Sequence, residues 1–200
     1  SKFYSVEKED LYNSRNHKII KFPFDIKAIH LFSKTIIDRI NQVNIKPYKL
    51  IILDCDNTLW GGILDEDKEN EISYRSKNKD FYFENFQKKI KDLKEKGYLL
   101  ALCSKNDEKK VWKILKNKNM HLQKKDFITY EINWSEKTDN ISKIVKKLNL
   151  RYEDCVFIDD NKIEIEKVKK NLKELNTLHL KNIKKFNDVM IEDKRFNKLL

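Results

Sequence analysis

Glycine and proline are nearly missing from this chain, with 3 and 2 among 200 residues. Their scarcity excludes a Pro/Gly-rich linker, and the chain shows no repeats. Cysteine is sparse as well. Cys55, Cys103 and Cys155 are an odd number at no metal-ligand spacing, which argues for free thiols in a reducing compartment rather than a disulfide framework. No apolar stretch approaches the roughly twenty residues needed to cross a bilayer. No signal-peptide pattern opens the chain, so it reads as soluble and cytoplasmic, with no membrane partner. Arginine is scarce too: 38 of the 43 basic residues are lysine. Lys, Asn and Ile together fill 81 positions, a skew that looks like the imprint of an AT-rich genome. A dedicated nucleic-acid surface would favour the bidentate guanidinium. The net charge of +11 therefore reads as a solvated lysine surface, and no nucleic-acid partner is expected. A positive field would still steer an acidic partner toward the molecule.

What is present is concentrated between Leu50 and Gly62. Leu50-Ile-Ile-Leu53 runs straight into Asp54 and Asp56, one residue apart, with Thr58 two further on. A short continuous apolar run is the pattern of a strand buried on both faces. Two acids at its end repel each other unless a cation holds them, and Mg²⁺ favours such oxygen ligands. A carboxylate beside Mg²⁺ can attack phosphorus while its neighbour handles the proton. Taken alone, the same pattern also fits an acidic turn.

Three further polar clusters follow apolar runs. Tyr98 to Cys103 ends in Ser104-Lys105-Asn106-Asp107, and Phe127 to Tyr130 leads through Trp134-Ser135-Glu136 to Lys137. Cys155 to Ile158 ends in Asp159-Asp160-Asn161. Helical patterns over 81–96, 108–117 and 138–148 separate them. This alternation predicts an α/β fold with a parallel sheet covered on both faces. Ligands in such sheets sit beyond the carboxyl ends of the strands, where all four clusters would converge. Ahead of the first strand, Ile26, Ile29, Phe32, Ile36, Ile37 and Ile40 recur at helical spacing, while residues 1–23 look irregular.

The order Asp-x-Asp-x-Thr, Ser, Lys, Asp-Asp is similar to the four motifs of the haloacid dehalogenase (HAD) superfamily, over roughly residues 48–180. Within it, D-C-D-N-T-L-W-G-G, C-S-K-N-D, N-W-S-x-K-x-x-N-I and F-I-D-D-N resemble the FkbH-like family of subfamily IIIC. The resemblance implies a HAD-type Rossmann-like parallel sheet with a minimal cap or flap, here opening at Trp60-Gly61-Gly62 and running to about Ser76. It also implies transfer of a glyceryl unit from 1,3-bisphosphoglycerate to an acyl carrier protein, as in polyketide assembly. The expected divisions are a flanking segment and helix over 1–46, a catalytic domain over 47–182, and a last helix over 183–200. The opening segment resembles the end of an upstream domain, so an excised piece of a longer protein is expected.

On this basis Asp54 is the candidate nucleophile and first Mg²⁺ ligand. Asp56 is the candidate acid/base, with its main-chain carbonyl as a further ligand by analogy with the superfamily. Thr58 braces the loop or is an ordinary turn hydroxyl. Ser104 would hydrogen-bond a phosphate oxygen, with Lys105 and Asn106 beside it as substrate-binding candidates, although Asn106 also suits a helix N-cap. Lys137 would offset the negative charge of phosphate and Asp54. Asp159 and Asp160 complete the metal set, and adjacent acids ending an apolar strand are seldom structural. The family usually has proline after the asparagine of its last motif; this chain has Lys162.

Glyceryl transfer through an enzyme thioester needs a thiolate, and Cys55 is the family-level candidate, with Cys103 next. Strand alternation points Cys55 away from its flanking acids, and nearby carboxylates raise a thiol pKa. Each of these cysteines also fits a small apolar core residue. Cys155 starts its strand at the opposite rim and reads as structural. The four scattered histidines carry no expected chemistry. The alternatives to glyceryl transfer are a Mg²⁺-dependent phosphatase working through phospho-Asp54 and, more remotely, a basic non-catalytic binding module.

Overall fold

The computed structural model describes residues 12–64, 81–117, 120–181, 186 and 192–196, without the side chains of 41–44 and 81. These residues fall into two compact units that divide after Ile45. In the first, α1 (Ser14–Ile20) and α2 (Ile26–Asn44) are joined by a short connection. Asn13 caps α1 by accepting from the Asn16 N–H at 3.0 Å. Lys21 closes it in the left-handed conformation, φ 56°, donating its N–H to His17 O. The helix α1 lies in a stretch expected to be irregular; its capping asparagine is a local signal that the polar composition hides. Helix α2 covers the isoleucine stripe. Phe22, Phe24 and Phe32 pack edge to face beside it.

The second unit is a five-stranded parallel sheet, β1 (Leu50–Leu53), β2 (Leu99–Ser104), β3 (Thr129–Ile132), β4 (Cys155–Asp159) and β5 (Asn176–His179), in the order β3-β2-β1-β4-β5. Helices α3 (Phe81–Glu95), α4 (Glu108–Leu115), α5 (Lys137–Lys147) and α6 (Lys162–Asn171) make the crossovers. Strands with continuous apolar runs sit in the middle because both faces must be covered. Ile51, Leu53, Leu100, Leu102, Val156 and Ile158 face α3 and α4 in one apolar cluster. Leu50, Ile52, Ala101, Cys103, Cys155 and Phe157 face α5 and α6 in the other.

The expected parallel sheet with helices on both faces is the observed fold. Two details differ. Strand β3 lies two residues later than Phe127–Tyr130, because Lys124–Asp126 form a 3-10 turn and Ile128 N bonds to Leu100 O at 2.9 Å, ahead of the ladder. Strand β5 carries no apolar run, since an edge strand needs only partial cover; all four of its residues are half-buried. Beyond it, Phe186 and Phe196 are buried against the α3 side, and the Phe196 ring meets Tyr48 edge to face at 5.1 Å. Most of the expected flap (65–76) and most of the expected last helix lie outside the described residues.

The switch in crossover direction falls between β1 and β4, whose register aligns Leu53 with Ile158. Asp54 and Asp159 therefore leave neighbouring strands at the same level, beside the crevice where α/β sheets bind ligands. Ile52, fully buried on β1, is central to the α5–α6 face. Ile52→Ala should cost about 2–5 kcal/mol of unfolding free energy, measured by urea denaturation.

Candidate active site

Each polar cluster is set at the carboxyl rim by the strand before it. Asp54 continues β1, its N–H bonding Ile158 O at 3.0 Å. The chain then turns tightly, with Thr58 N–H and Leu59 N–H both donating to Cys55 O at 3.2 and 2.8 Å. Asn57 takes the left-handed conformation, φ 51°, which asparagine tolerates better than most residues, and its Oδ1 accepts from Gly62 N–H at 3.0 Å. Thr58 is fully buried inside this turn, and its hydroxyl finds no partner among the described residues.

The centre of the site is Lys137, the first residue of α5. Its buried ammonium lies 2.8 Å from Asp54 Oδ1 and 2.6 Å from Asp159 Oδ2, and 5.8 Å from the centroid of the Phe157 ring. Carboxylate oxygens of Asp54, Asp159 and Asp160 lie within 4.8 Å of one another. Burial, then Asp54, pushes Asp160 up to about 6. The same two causes, in the same order, hold Asp159 above the usual carboxylate range against the pull of Lys137. The two partners thus pull in opposite senses. Burial works against the Lys137 charge, but Asp54 and Asp159 outweigh it and keep the ammonium protonated. The ammonium is the firmer of the two, since it has two carboxylate partners while the carboxylates share one cation.

Asp56 stands apart from this group. Its Oδ1 accepts from the Trp60 indole N–H at 2.9 Å and its Oδ2 from the Asn106 amide at 3.0 Å. Burial raises its pKa, with Asn106 the chief opposing influence, so it is suited to carrying a proton. A part for Asp56 in metal binding rests on its main-chain carbonyl. Ser104, buried at the end of β2, lies 3.2 Å from the same Asn106 amide. Asn106 does not cap α4; Asp107 does, accepting from Lys110 N–H at 3.0 Å. Lys105 points its ammonium to Glu136 and Glu164, at 3.2 Å from each, and so is engaged by two carboxylates.

The cysteines are buried. Cys55 shares the α3–α4 apolar cluster with Leu53, as alternation requires, and burial foremost, then Asp54, pushes its thiol well up; a contact with Ser104 acts the other way. Cys103 lies in the opposite cluster, its thiol raised by burial, with Sγ 3.8 Å from Lys137 O. Burial pushes Cys155 up to about 12.

Two participants, Trp60 and His179, carry no chemical role in the sequence reading, and Asn106, read there as a substrate-binding candidate or helix cap, meets Asp56 instead. Trp60 and Asn106 both hold Asp56. The signal was available for Trp60, because a buried indole N–H needs an acceptor and Asp56 is four residues back. His179 Nε2 lies 2.8 Å from the Asp160 carbonyl and steadies that loop from β5, a contact no local spacing announces. Asn161 caps α6, accepting from Ile163 N–H at 2.9 Å, so Lys162 in place of proline leaves the helix start intact.

Residues 46–183 match the acid phosphatase family. The chain belongs to that family. A search of curated proteins finds no match. Among solved structures, the chain is similar to the N-terminal part of the Bacteroides fragilis protein BF1531, which contains a phosphatase domain complexed with Mg: 28% identity, TM-score 0.71, covering 94% of this chain. The chain spans 50% of that solved chain. It is also similar to the Moraxella catarrhalis 3-deoxy-D-manno-octulosonate 8-phosphate phosphatase, solved in complex with a magnesium ion, a phosphate ion and a KDO molecule: 23% identity, TM-score 0.39, over 62% of this chain and 63% of that one. The family match and the parallel sheet support a HAD-like phosphatase fold for the second unit.

Three carboxylates against one ammonium leave the cluster electron-rich, and hard oxygen donors at this spacing suit a small divalent cation. Removing the ammonium should expose the remaining repulsion. Lys137→Met is expected to lose about 3–5 kcal/mol of stability at pH 8 without added cation. The loss should shrink at pH 5, where the raised carboxyls of Asp159 and Asp160 take up protons; thermal unfolding at the two pH values tests this.

Proposed function

We propose that this phosphatase-family chain is a Mg²⁺-dependent phosphomonoesterase that transfers the phosphoryl group to Asp54 and then to water. The observation that carries the reading is the Lys137 ammonium seated between Asp54 and Asp159, with Asp160 completing an oxygen donor set. Asp54, Asp159 and Asp160 would hold Mg²⁺, which when bound neutralises phosphoryl charge that the single lysine cannot. Asp54 forms the new O–P bond as the ester O–P bond breaks. Asp56, protonated at the start, gives its proton to the departing alkoxide. A water then attacks phosphorus, Asp56 takes its proton, and the Asp54–phosphate bond breaks to release phosphate. Ser104 and Lys137 donate to the non-bridging oxygens throughout. Trp60 and Asn106 keep the Asp56 carboxyl aimed between the two steps.

Glyceryl transfer from 1,3-bisphosphoglycerate to an acyl carrier protein is the second reading, favoured by the motif sequence and by Cys55 standing between the two catalytic acids. It requires a thiolate in reach of substrate. The Cys55 thiol is buried, lies on the apolar side of its strand and is pushed up rather than down, so the phosphatase reading is preferred.

Incubation with Mg²⁺ and 1,3-bisphosphoglycerate separates the two. Phosphate release is expected from the native protein and from Cys55→Ala, and should fall roughly 10³-fold or more in Asp54→Asn. Intact mass should show no acyl adduct. A glyceryl-sized, hydroxylamine-labile adduct that disappears in Cys55→Ala would establish the transferase instead.

The pH dependence of metal stabilisation follows from the site. Asp159 and Asp160 sit above the unfolded carboxylate value of about 3.9. Their contribution to stability is therefore present in acid and lost as pH rises through about 6 for Asp160 and about 7 for Asp159. Bound cation replaces those protons. Mg²⁺ should raise the melting temperature more at pH 8 than at pH 5, and EDTA should reverse the gain; an equal gain at both would rule out these ligands.

A further inference from the structure

Large apolar side chains left in water at a site mouth commonly serve binding. Among the described residues of the second unit, the exposed large hydrophobics are Ile63, Ile128, Trp134 and Ile163. Three of the four follow the carboxyl ends of strands: Ile63 after β1, Trp134 after β3 and Ile163 after β4. They rise from the rim that carries the catalytic carboxylates. Trp134 is 66% exposed and Ile163 67%.

Trp134 is displayed by a braced loop. Asn133 donates its N–H to Ser104 O at 3.1 Å, and its Oδ1 accepts from Ser135 N–H at 2.9 Å and the Asn140 amide at 2.8 Å. Lys105 then ties Glu136, two residues after Trp134, to Glu164, the residue after Ile163, at 3.2 Å from each. Lys167 adds a contact to Glu136 at 3.4 Å. The segments that carry the two apolar residues are thereby joined through one ion-pair cluster, next in sequence to Lys137 and close to Asp159 and Asp160. A phosphate oriented by Ser104 and Lys137 has its non-bridging oxygens turned into the site, so its ester substituent must leave across this rim.

We propose that Trp134 and Ile163 form an apolar shelf that receives the leaving group and selects phosphomonoesters whose alcohol carries a ring or other flat apolar surface. This rests on the phosphatase reading above. Lys105 is a positioning residue for the shelf, its charge taken up by two glutamates. The rigidity of the loop lowers the ordering cost of each contact, which is why an exposed indole can select at all.

Calorimetric titration of the whole chain with Mg²⁺ and two non-hydrolysable probes, benzylphosphonate and methylphosphonate, tests the shelf without relying on turnover. The native protein should bind the benzyl probe roughly five- to tenfold more tightly, the scale of one aromatic stacking contact. In Trp134→Ala that preference should fall below about twofold while the methyl probe shifts less than twofold, and Trp134→Phe should restore most of it. Ile163→Ser should cut the preference in part. A preference unchanged in Trp134→Ala, or equal weakening of both probes, overturns the shelf. Failure of the native protein to bind methylphosphonate overturns the phosphate site itself, and the shelf with it.

Discussion

Three carboxylates meet where β1 and β4 end, and a single buried ammonium stands against them. Like charges about 4 Å apart repel by about 4 kcal/mol even at the effective dielectric of a protein surface. Lys137 offsets part of that cost by touching Asp54 and Asp159 at once, from its place as the first residue of α5, with its ammonium over the Phe157 ring. What remains is a cluster poised for added positive charge, such as a bound divalent cation. The surrounding hydrogen bonds can be understood as means of holding this unfavourable arrangement in place: Asn161 N–H on Asp159, His179 on the Asp160 carbonyl, and Leu180 N–H on the Asp159 carbonyl.

The sheet makes that arrangement affordable. Leu53 is level with Leu102 on one side and Ile158 on the other, so the polar residues beyond them arrive at one rim without any loop having to search for them. Both faces of the three central strands are covered, by α3 and α4 and by α5 and α6. A strand buried on two faces has little freedom to slip, because a one-residue shift would turn its side chains to the wrong cluster. The candidate catalytic acids inherit that fixity. The rim loops achieve theirs differently, through the Lys105 ion pairs and the Asn133 hydrogen bonds, and so can display an exposed tryptophan without being mobile scaffolding.

Sheet class, strand placement and the acidic centre were legible because they are written in contiguous residues. Leu50-Ile-Ile-Leu53 before Asp54, and Cys155-Val-Phe-Ile158 before Asp159, need no partner to be recognised. Lys137 was legible only through its order between two other clusters, since 38 lysines make any single one anonymous. Residues whose meaning lies in a distant partner were not legible. Asn106 reads as a substrate-binding candidate or a helix cap, yet its amide reaches Asp56, 50 residues away. Lys105 reads as a substrate-binding candidate by position, and its ammonium meets Glu136 and Glu164, 31 and 59 residues on. Strand β5 went unrecognised because an edge position tolerates the polar sequence Asn-Thr-Leu-His. In each case local composition is compatible with several neighbourhoods, and only the fold selects one.

Cys55 shows how a two-residue period decides chemistry. Asp54 and its neighbours on the rim face the α5 side, so the next residue must turn to the α3 side, where Leu53, Leu59 and Trp60 exclude water. A thiol there is stabilised in its neutral form by burial and by the negative charge of Asp54 on the other side of the backbone. The features that make Asp54 a usable nucleophile, carboxylate neighbours and a cation-seeking site, are the ones that keep the adjacent sulfur protonated. For an acyl thioester to form at this position the β1 end would have to peel away from Leu59 and Trp60, and with it the Trp60 hydrogen bond that orients Asp56. Under the proposed chemistry, acyl capture on Cys55 and proton transfer by Asp56 therefore compete for one backbone conformation, and the observed one keeps the Trp60 and Asn106 hydrogen bonds to Asp56.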